Sequence, residues 1–302
     1  MRKLVLALMI LSVIFLAGCV NQKQTVFEPK TIYVDIHGKG DYKSIQSAID
    51  AARDGDTIVV SNGSYHESIR IYKSLKLFSK GNVTLYGEED SIKSFILYHQ
   101  REGYVVLVSA DNCTIDGFNI INKVRILNVE GIRVNSSRNK IVNNTIKSAY
   151  YGIQLWRNSD NNNVINNTIT SCDFCGLYIY RSNRNFVSGN KIFGNFHGMR
   201  IKGSSNNTVY GNKISNNTYG LELCCGADFN TIYFNSFINN TEKNAHDYLI
   251  NNWDNGKVGN YWSDYQDKYP SANQENGIWD TPYSIDGGEN FDRYPLVSPP
   301  MV

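Results

Sequence analysis

The chain has 302 residues, a formal net charge of +2 and 41% hydrophobic residues, with six cysteines and 24 glycines. The length fits one large domain or two ordinary ones. Near-neutral charge with scattered basic residues argues against a nucleic-acid partner. Asparagine is heavily used and helix-forming runs are scarce.

In chain order, Arg2 and Lys3 precede the apolar run Leu4 to Phe15, and Leu16-Ala17-Gly18-Cys19 follows as a lipobox. Residues 1–18 read as a lipoprotein signal peptide, and the apolar run is shorter than the roughly 20 residues a membrane span needs. Cys19 is the predicted lipidation site, and residues 19–30 form a polar tether to the membrane surface. A single lipid chain anchors only marginally, so the several chains of a lipidated cysteine matter. The expected location is extracytoplasmic, at the cell surface.

Next, Ser44 to Ala52 sets Ile45, Ala48, Ile49 and Ala52 on one helical face. A short helix here would cover the open edge of whatever sheet follows. Asp54 to Val60 then turns into a first strand.

The body carries a repeat. Glycine followed by an apolar residue recurs at Gly131, Gly152, Gly176, Gly198 and Gly220, at spacings of 21 to 24 residues. Each is followed by Asn-x-[Ile/Val]-x-x-Asn-x-apolar, at residues 139–146, 162–169, 185–192, 207–214 and 230–237, with a weaker copy at 114–120. In Gly176-Leu-Tyr-Ile-Tyr180, alternation points Leu177 and Ile179 inward and Tyr178 and Tyr180 outward. One such coil cannot bury its apolar face alone, whereas coils stacked at about 4.8 Å bury a continuous column. The prediction is an all-β, right-handed parallel β-helix over residues 31–245, with an N-terminal capping helix. Asn144, Asn167, Asn190, Asn212 and Asn235 fall at one position in successive coils. Asparagine tolerates the left-handed turn conformation, and stacked side chains can hydrogen-bond along the column. The Leu-x-x-Leu-x-Leu spacing of a leucine-rich solenoid is absent. After Asn244 the repeat gives way to an aromatic-rich stretch with Trp253, Tyr261, Trp262, Tyr265, Tyr269, Trp279 and Tyr283, so residues 246–302 are the expected C-terminal cap. Asn62, Asn82, Asn112, Asn135, Asn143, Asn166, Asn206, Asn216 and Asn239 begin Asn-x-Ser/Thr sequons, each a candidate glycan site on a surface turn of a secreted protein.

Asp41 to Asp50, Gly55 to Val60 and Gly63 to Glu67 resemble the entry segment of polysaccharide-active β-helix proteins. Gly259-Asn-Tyr-Trp-Ser-Asp-Tyr265, Gly277-Ile-Trp-Asp-Thr-Pro-Tyr283 and Asp292-Arg-Tyr-Pro-Leu296 resemble the NosD-like surface proteins common in archaea. That resemblance implies a right-handed β-helix of the kind found in carbohydrate-binding proteins and sugar hydrolases. It also implies, through the family's namesake, copper handling beside a transporter. Many members carry an acidic, calcium-loop-like run before the Asp-Thr-Pro-Tyr motif. Here the run is Ser271 to Gly277, and only Glu275, Asp280 and Asp267 are acidic near it, fewer oxygens than calcium takes.

No cofactor is assigned, with copper and calcium as alternatives. Cys172, Cys175, Cys224 and Cys225 pair as disulfides or as soft-metal ligands. The register places Cys175 and Cys224 two coils apart, too far for one four-thiolate site. Cys113 reads as a small buried hydrophobe. His37, His66, His99, His197 and His246 have no ligand spacing. Phe196-His-Gly198 and Arg200-Ile-Lys202 resemble fragments of a polygalacturonase site, but the paired carboxylates of glycoside hydrolysis are missing. Outward columns two and four residues after the repeat glycines hold Arg133, Gln154, Tyr178, Arg200 and Glu222, then Trp156, Tyr180 and Lys202. Exposed aromatics stack on sugar rings and arginines pair with sugar carboxylates. The expected partner is therefore a polysaccharide or cell-envelope glycan, bound without catalysis. A polysaccharide lyase, epimerase or hydrolase is the alternative. A C-terminal cap folded back over the stripe would remove the site.

Overall fold

The computed structural model describes residues 28–87, 103–123 and 129–301. The predicted signal peptide, Cys19 and His99 lie outside them. The body is a parallel β-helix. Its sixteen-stranded sheet bends into two arms, and an eight-stranded sheet closes the coil, each strand pairing in parallel with its counterparts in the coils before and after. Short strands such as Asn163–Ile165 and Thr168–Thr170 form the arms. Six-residue strands such as Tyr151–Trp156, Cys175–Tyr180, His197–Lys202 and Tyr219–Cys224 form the third side.

Alternation fills the interior. Ile153, Leu177, Met199 and Leu221 stack on one another, as do Leu155, Ile179, Ile201 and Leu223, and all are buried. From the second arm Ile146, Ile169, Ile192 and Ile214 make a matching column. The repeat glycines have a steric rather than a conformational reason. A Cβ at Gly176 would sit 2.7 Å from Ile192 Cγ2 and 2.7 Å from the carbonyl oxygen of Gly198. Only a hydrogen fits where the long strand enters the core.

Asparagine does two separate jobs at the turns. The ladder residues Asn144, Asn167, Asn190, Asn212 and Asn235 are buried; Asn144 Oδ1 accepts from the Phe118 N–H, and each later Oδ1 accepts from the backbone N–H and Nδ2 of the asparagine one coil earlier, as from Asn167 to Asn190 at 2.8 and 3.0 Å. The left-handed residue is not the ladder asparagine but the one before it: Asn143, Asn166, Gly189, Gly211 and Phe234 have φ between 55° and 66°. A second ladder runs from Asn139 through Asn162, Asn185, Asn207 and Asn230 to Asn251. A third runs from Asn195 through Asn217 to Asn240.

Every ladder hands its donors towards the C-terminus, so donors are left over in the last coil. Carboxylates receive them. Asn251 Nδ2 donates to Asp247 at 3.1 Å, the Asn260 N–H donates to Asp292 Oδ2 at 2.6 Å, and Asn240 reaches Asp264 through Asn244. The Gly259-to-Tyr265 motif is thus a seal. Asn260 ends a ladder, Trp262 stacks on Phe237 with centroids 4.5 Å apart, Tyr283 covers Trp262 at 4.1 Å, and a side chain at Gly259 would collide with Asp292. At the other end the helix Ile45–Ala51 lays Ile45, Ala48 and Ile49 on the first coil. Ser44 caps it from within, and Glu67 accepts from the Ile45 and Gln46 N–H groups at its positive end.

Candidate functional site

The outer face of the eight-stranded sheet carries three columns of side chains. Immediately before each repeat glycine stand Glu130, Tyr151, Cys175, His197 and Tyr219, with Lys243 next in register. Two residues after it stand Arg133, Gln154, Tyr178, Arg200 and Glu222, with His246 next. The third column runs Trp156, Tyr180, Lys202 and Cys224. The predicted stripe residues do share one face, but they are not uniformly open. Arg133, Gln154 and Tyr178 are only 8%, 2% and 6% exposed, because neighbours on either side in the stack cover them. Tyr178 stacks on Tyr151 at 5.3 Å and lies 5.8 Å from Tyr180.

The accessible part of the face has two regions. In the first, Trp156 and Tyr180 are half-buried with centroids 4.6 Å apart. Arg133 and Arg157 lie over Trp156, and Arg181 and Lys202 over Tyr180, all within 6 Å of the ring they face. Arg157 and Arg181 take left-handed turns, at φ 45° and 48°, and both are exposed. The C-terminal aromatics do not cover this region. Trp253, Trp262 and Tyr283 make their ring contacts among themselves, Phe237, Tyr265 and Tyr269.

The second region is a groove of about 450 Å³ lined by Phe196, His197, Arg200, Tyr219, Glu222, Lys243 and His246. Glu222 stands between two partners, His197 Nδ1 at 3.4 Å and Arg200 Nη2 at 3.2 Å. The imidazole stacks on Tyr219 at 5.1 Å, with Phe174 and Phe196 edge-on. Burial among these rings pushes the His197 pKa below the ordinary value. Glu222 pulls it up and Arg200 pushes it further down. His197 Nδ1 and Arg200 Nε are buried without a hydrogen-bond partner. The cap closes the far end of the groove, where Asp286 bridges to His246 and lies 3.9 Å from Lys243 Nζ.

His197, Tyr219, Lys243 and His246 were not legible as a site by spacing. His197 and His246 are far apart in sequence, and only stacking sets them on either side of Glu222. The column just before the glycines was the available signal.

Cys113, Cys172, Cys175, Cys224 and Cys225 are free thiols in this structure, so neither candidate pair, Cys172 with Cys175 or Cys224 with Cys225, is joined here. Cys175 belongs to the first outer column and Cys224 to the third, in agreement with the separation read from the repeat. Burial raises Cys172 to about 12 and Cys224 to about 11, which disfavours the thiolate that binds metal. Among the described residues no group of three or more His, Cys, Asp or Glu could hold a metal ion. Asp280 is occupied within its own turn, accepting from the Asn273 N–H and Thr281 Oγ1 at 3.1 and 3.0 Å.

Solved structures similar to this fold include pectate lyase Pel9A, 15% identical with a TM-score of 0.53 over 78% of this chain and 75% of that one. XylC in complex with xylose is 12% identical with a TM-score of 0.61 over 76% and 64%. At such identity they show the fold alone. A cell surface glycoprotein of Methanothermus fervidus is 30% identical over 155 residues, 50% of this chain, and the match spans 22% of that protein's length. Residues 50–267 match the model of the family described as periplasmic copper-binding protein (NosD). A match over most of the chain, ending in the Asn260–Trp262 seal, makes the chain a member of the NosD family.

Proposed function

We propose that the chain is an extracytoplasmic surface protein that binds an extended acidic glycan along the outer face of its eight-stranded sheet. The carrying observation is the Trp156–Tyr180 pair ringed by Arg157, Arg181 and Lys202. Aromatic faces stack on sugar rings while arginines pair with carboxylates. Coils repeat about every 4.8 Å, close to the rise of one sugar, so a chain lying along the axis meets an equivalent position at each residue. The periplasmic family and the surface-glycoprotein relative support a location outside the cytoplasm. A lipid on Cys19 would hold the sheet near the envelope, and a Cys19→Ser chain that still partitions into detergent would remove that part of the reading.

The test is a glycan array probed with the chain from Asn21, followed by titration of the best acidic ligand. Trp156→Ala should weaken binding by about 1–3 kcal/mol, as loss of a hot-spot aromatic does. Arg181→Ala should cost more at low salt than at high salt, because exposed charges are screened. Binding that survives both substitutions moves the site elsewhere.

One observation favours a second reading. His197, whose pKa burial lowers and whose Nδ1 lies 3.4 Å from Glu222, is placed as a general base beside a carboxylate. Beside Lys243 and His246 it could take the C5 proton of a uronate, so that the C4–C5 double bond forms as the C4–O glycosidic bond breaks and the leaving oxygen takes up a proton. New ultraviolet absorbance from an unsaturated uronate product, abolished by His197→Ala, would establish it. Unchanged substrate would leave the groove as a binding subsite.

A further inference from the structure

We propose that the exposed asparagines at the turn edges carry N-linked oligosaccharides, which frame the eight-stranded sheet and leave its outer face from Tyr178 to His246 bare. The inference does not depend on what that face binds.

The asparagines fall into two structural classes, and the sequons follow the division. Those in the three ladders are buried with both amide groups engaged, and none of them begins Asn-x-Ser/Thr. Every described sequon asparagine is exposed. At five turns the two classes are adjacent, as in Asn166-Asn167-Thr168: the first residue is exposed, the second is in the ladder, and the threonine opens or precedes a strand. Six of the sequon asparagines, Asn112, Asn143, Asn166, Asn206, Asn216 and Asn239, have φ between 51° and 59°. That left-handed bend throws the side chain out of the coil.

Their placement is uneven around the solenoid. Asn62, Asn82, Asn143 and Asn166 lie on the edge between the two arms, remote from the candidate site. Asn216 and Asn239 lie on the turns that lead into Tyr219 and Lys243, along one border of the groove. Asn206 lies on the opposite border, at the turn after His197–Lys202, and Asn112 lies at the corresponding turn after Gly103–Val108, several coils towards the N-terminus. Asn135, whose Oδ1 accepts from Arg133 Nε at 3.1 Å, marks the N-terminal end of the stripe one coil before Trp156. No sequon lies within the strands Cys175–Tyr180, His197–Lys202, Tyr219–Cys224 or Lys243–Asp247. A glycan is bulky and hydrated, so it shields a turn edge without blocking the sheet between.

The donor is a lipid-linked oligosaccharide phosphate or pyrophosphate. Asparagine Nδ2 attacks the anomeric carbon and the C–N bond forms. The bond from that carbon to the phosphate oxygen breaks, the lipid phosphate leaves with the electron pair, and one amide proton is released.

The experiment is site-resolved glycopeptide mass spectrometry of the full chain, secreted from a host with an Asn-x-Ser/Thr oligosaccharyltransferase and checked against a known glycoprotein of the same host. Glycan mass is expected on the edge asparagines and on no ladder asparagine. Thr168→Ala keeps Asn166 and the ladder intact and should remove the glycan at Asn166 alone, with the circular dichroism spectrum unchanged. Folded chain secreted with every edge asparagine bare, while the control glycoprotein is modified, overturns the proposal. Glycan on a ladder asparagine overturns the division on which it rests.

Discussion

Replacing Asn190 with alanine tests whether the ladders hold the solenoid together. Asn190 is fully buried. Its Oδ1 accepts from the Asn167 N–H and Nδ2, and its Nδ2 donates to the Val164 and Ser188 carbonyls at 2.8 and 3.1 Å and to Asn212 Oδ1 at 2.9 Å. Alanine removes all five contacts at a fully buried position. The buried Asn167 N–H loses its acceptor, and the three oxygens each lose a donor. A buried polar group left unsatisfied costs about 1–3 kcal/mol. Asn212 Oδ1 keeps the Asn190 backbone N–H as a donor, and Asn167 Nδ2 keeps the Ile141 and Ile165 carbonyls, so full cost falls on one or two groups. The expected loss is about 3–5 kcal/mol. The control is Lys191→Ala, one residue away and exposed, which should stay within about 0.5 kcal/mol of the parent. Urea unfolding followed by circular dichroism measures both. A solenoid transmits stability from coil to coil, so a change in slope as well as midpoint would show the stack splitting at this coil. Equal midpoints for the two variants would refute the argument that the ladder asparagines are structural.

Ile179→Asp buries an unpaired carboxylate in the inner column and should cost several kcal/mol, whereas Tyr180→Asp, half-buried and outward, should cost much less; equal losses would mean the in/out register is wrong. Burial pushes the Asp292 carboxyl up to about 7. The folded chain therefore binds that proton more tightly than the unfolded chain, so its stabilising effect is complete below about pH 4 and is lost as pH rises through 7. The melting temperature should be lower at pH 8.5 than at pH 5.5, and Asp292→Asn should flatten that difference; an unchanged slope would assign it to other groups. Among the described cysteines, Cys225 is exposed and the other four are buried. A thiol reagent should label Cys225 in the native chain and the rest only after denaturation, and rapid labelling of Cys172 or Cys175 would contradict the burial.

The repeat was readable because a solenoid writes its structure locally. Gly176, Leu177 and Ile179 do the same work as Gly198, Met199 and Ile201 one coil on, so period and alternation already name the core, the outer columns and the Asn144-to-Asn235 ladder. The capping helix at Ile45–Ala51 was legible from the helical spacing of Ile45, Ala48 and Ile49, and the aromatic cap as the place where the repeat stops. Other features depend on distances between elements that no spacing encodes. Stacking covers Tyr178 and Gln154 although they face outward. The left-handed position falls to the residue before each ladder asparagine, because the ladder residue must aim its amide along the axis. Asp247, Asp264 and Asp292 terminate ladders only because the cap brings them there. His197 and His246 meet across Glu222 only because three successive coils lie in register, and that packing, with the cap as end wall, makes a groove from residues that the chain keeps far apart.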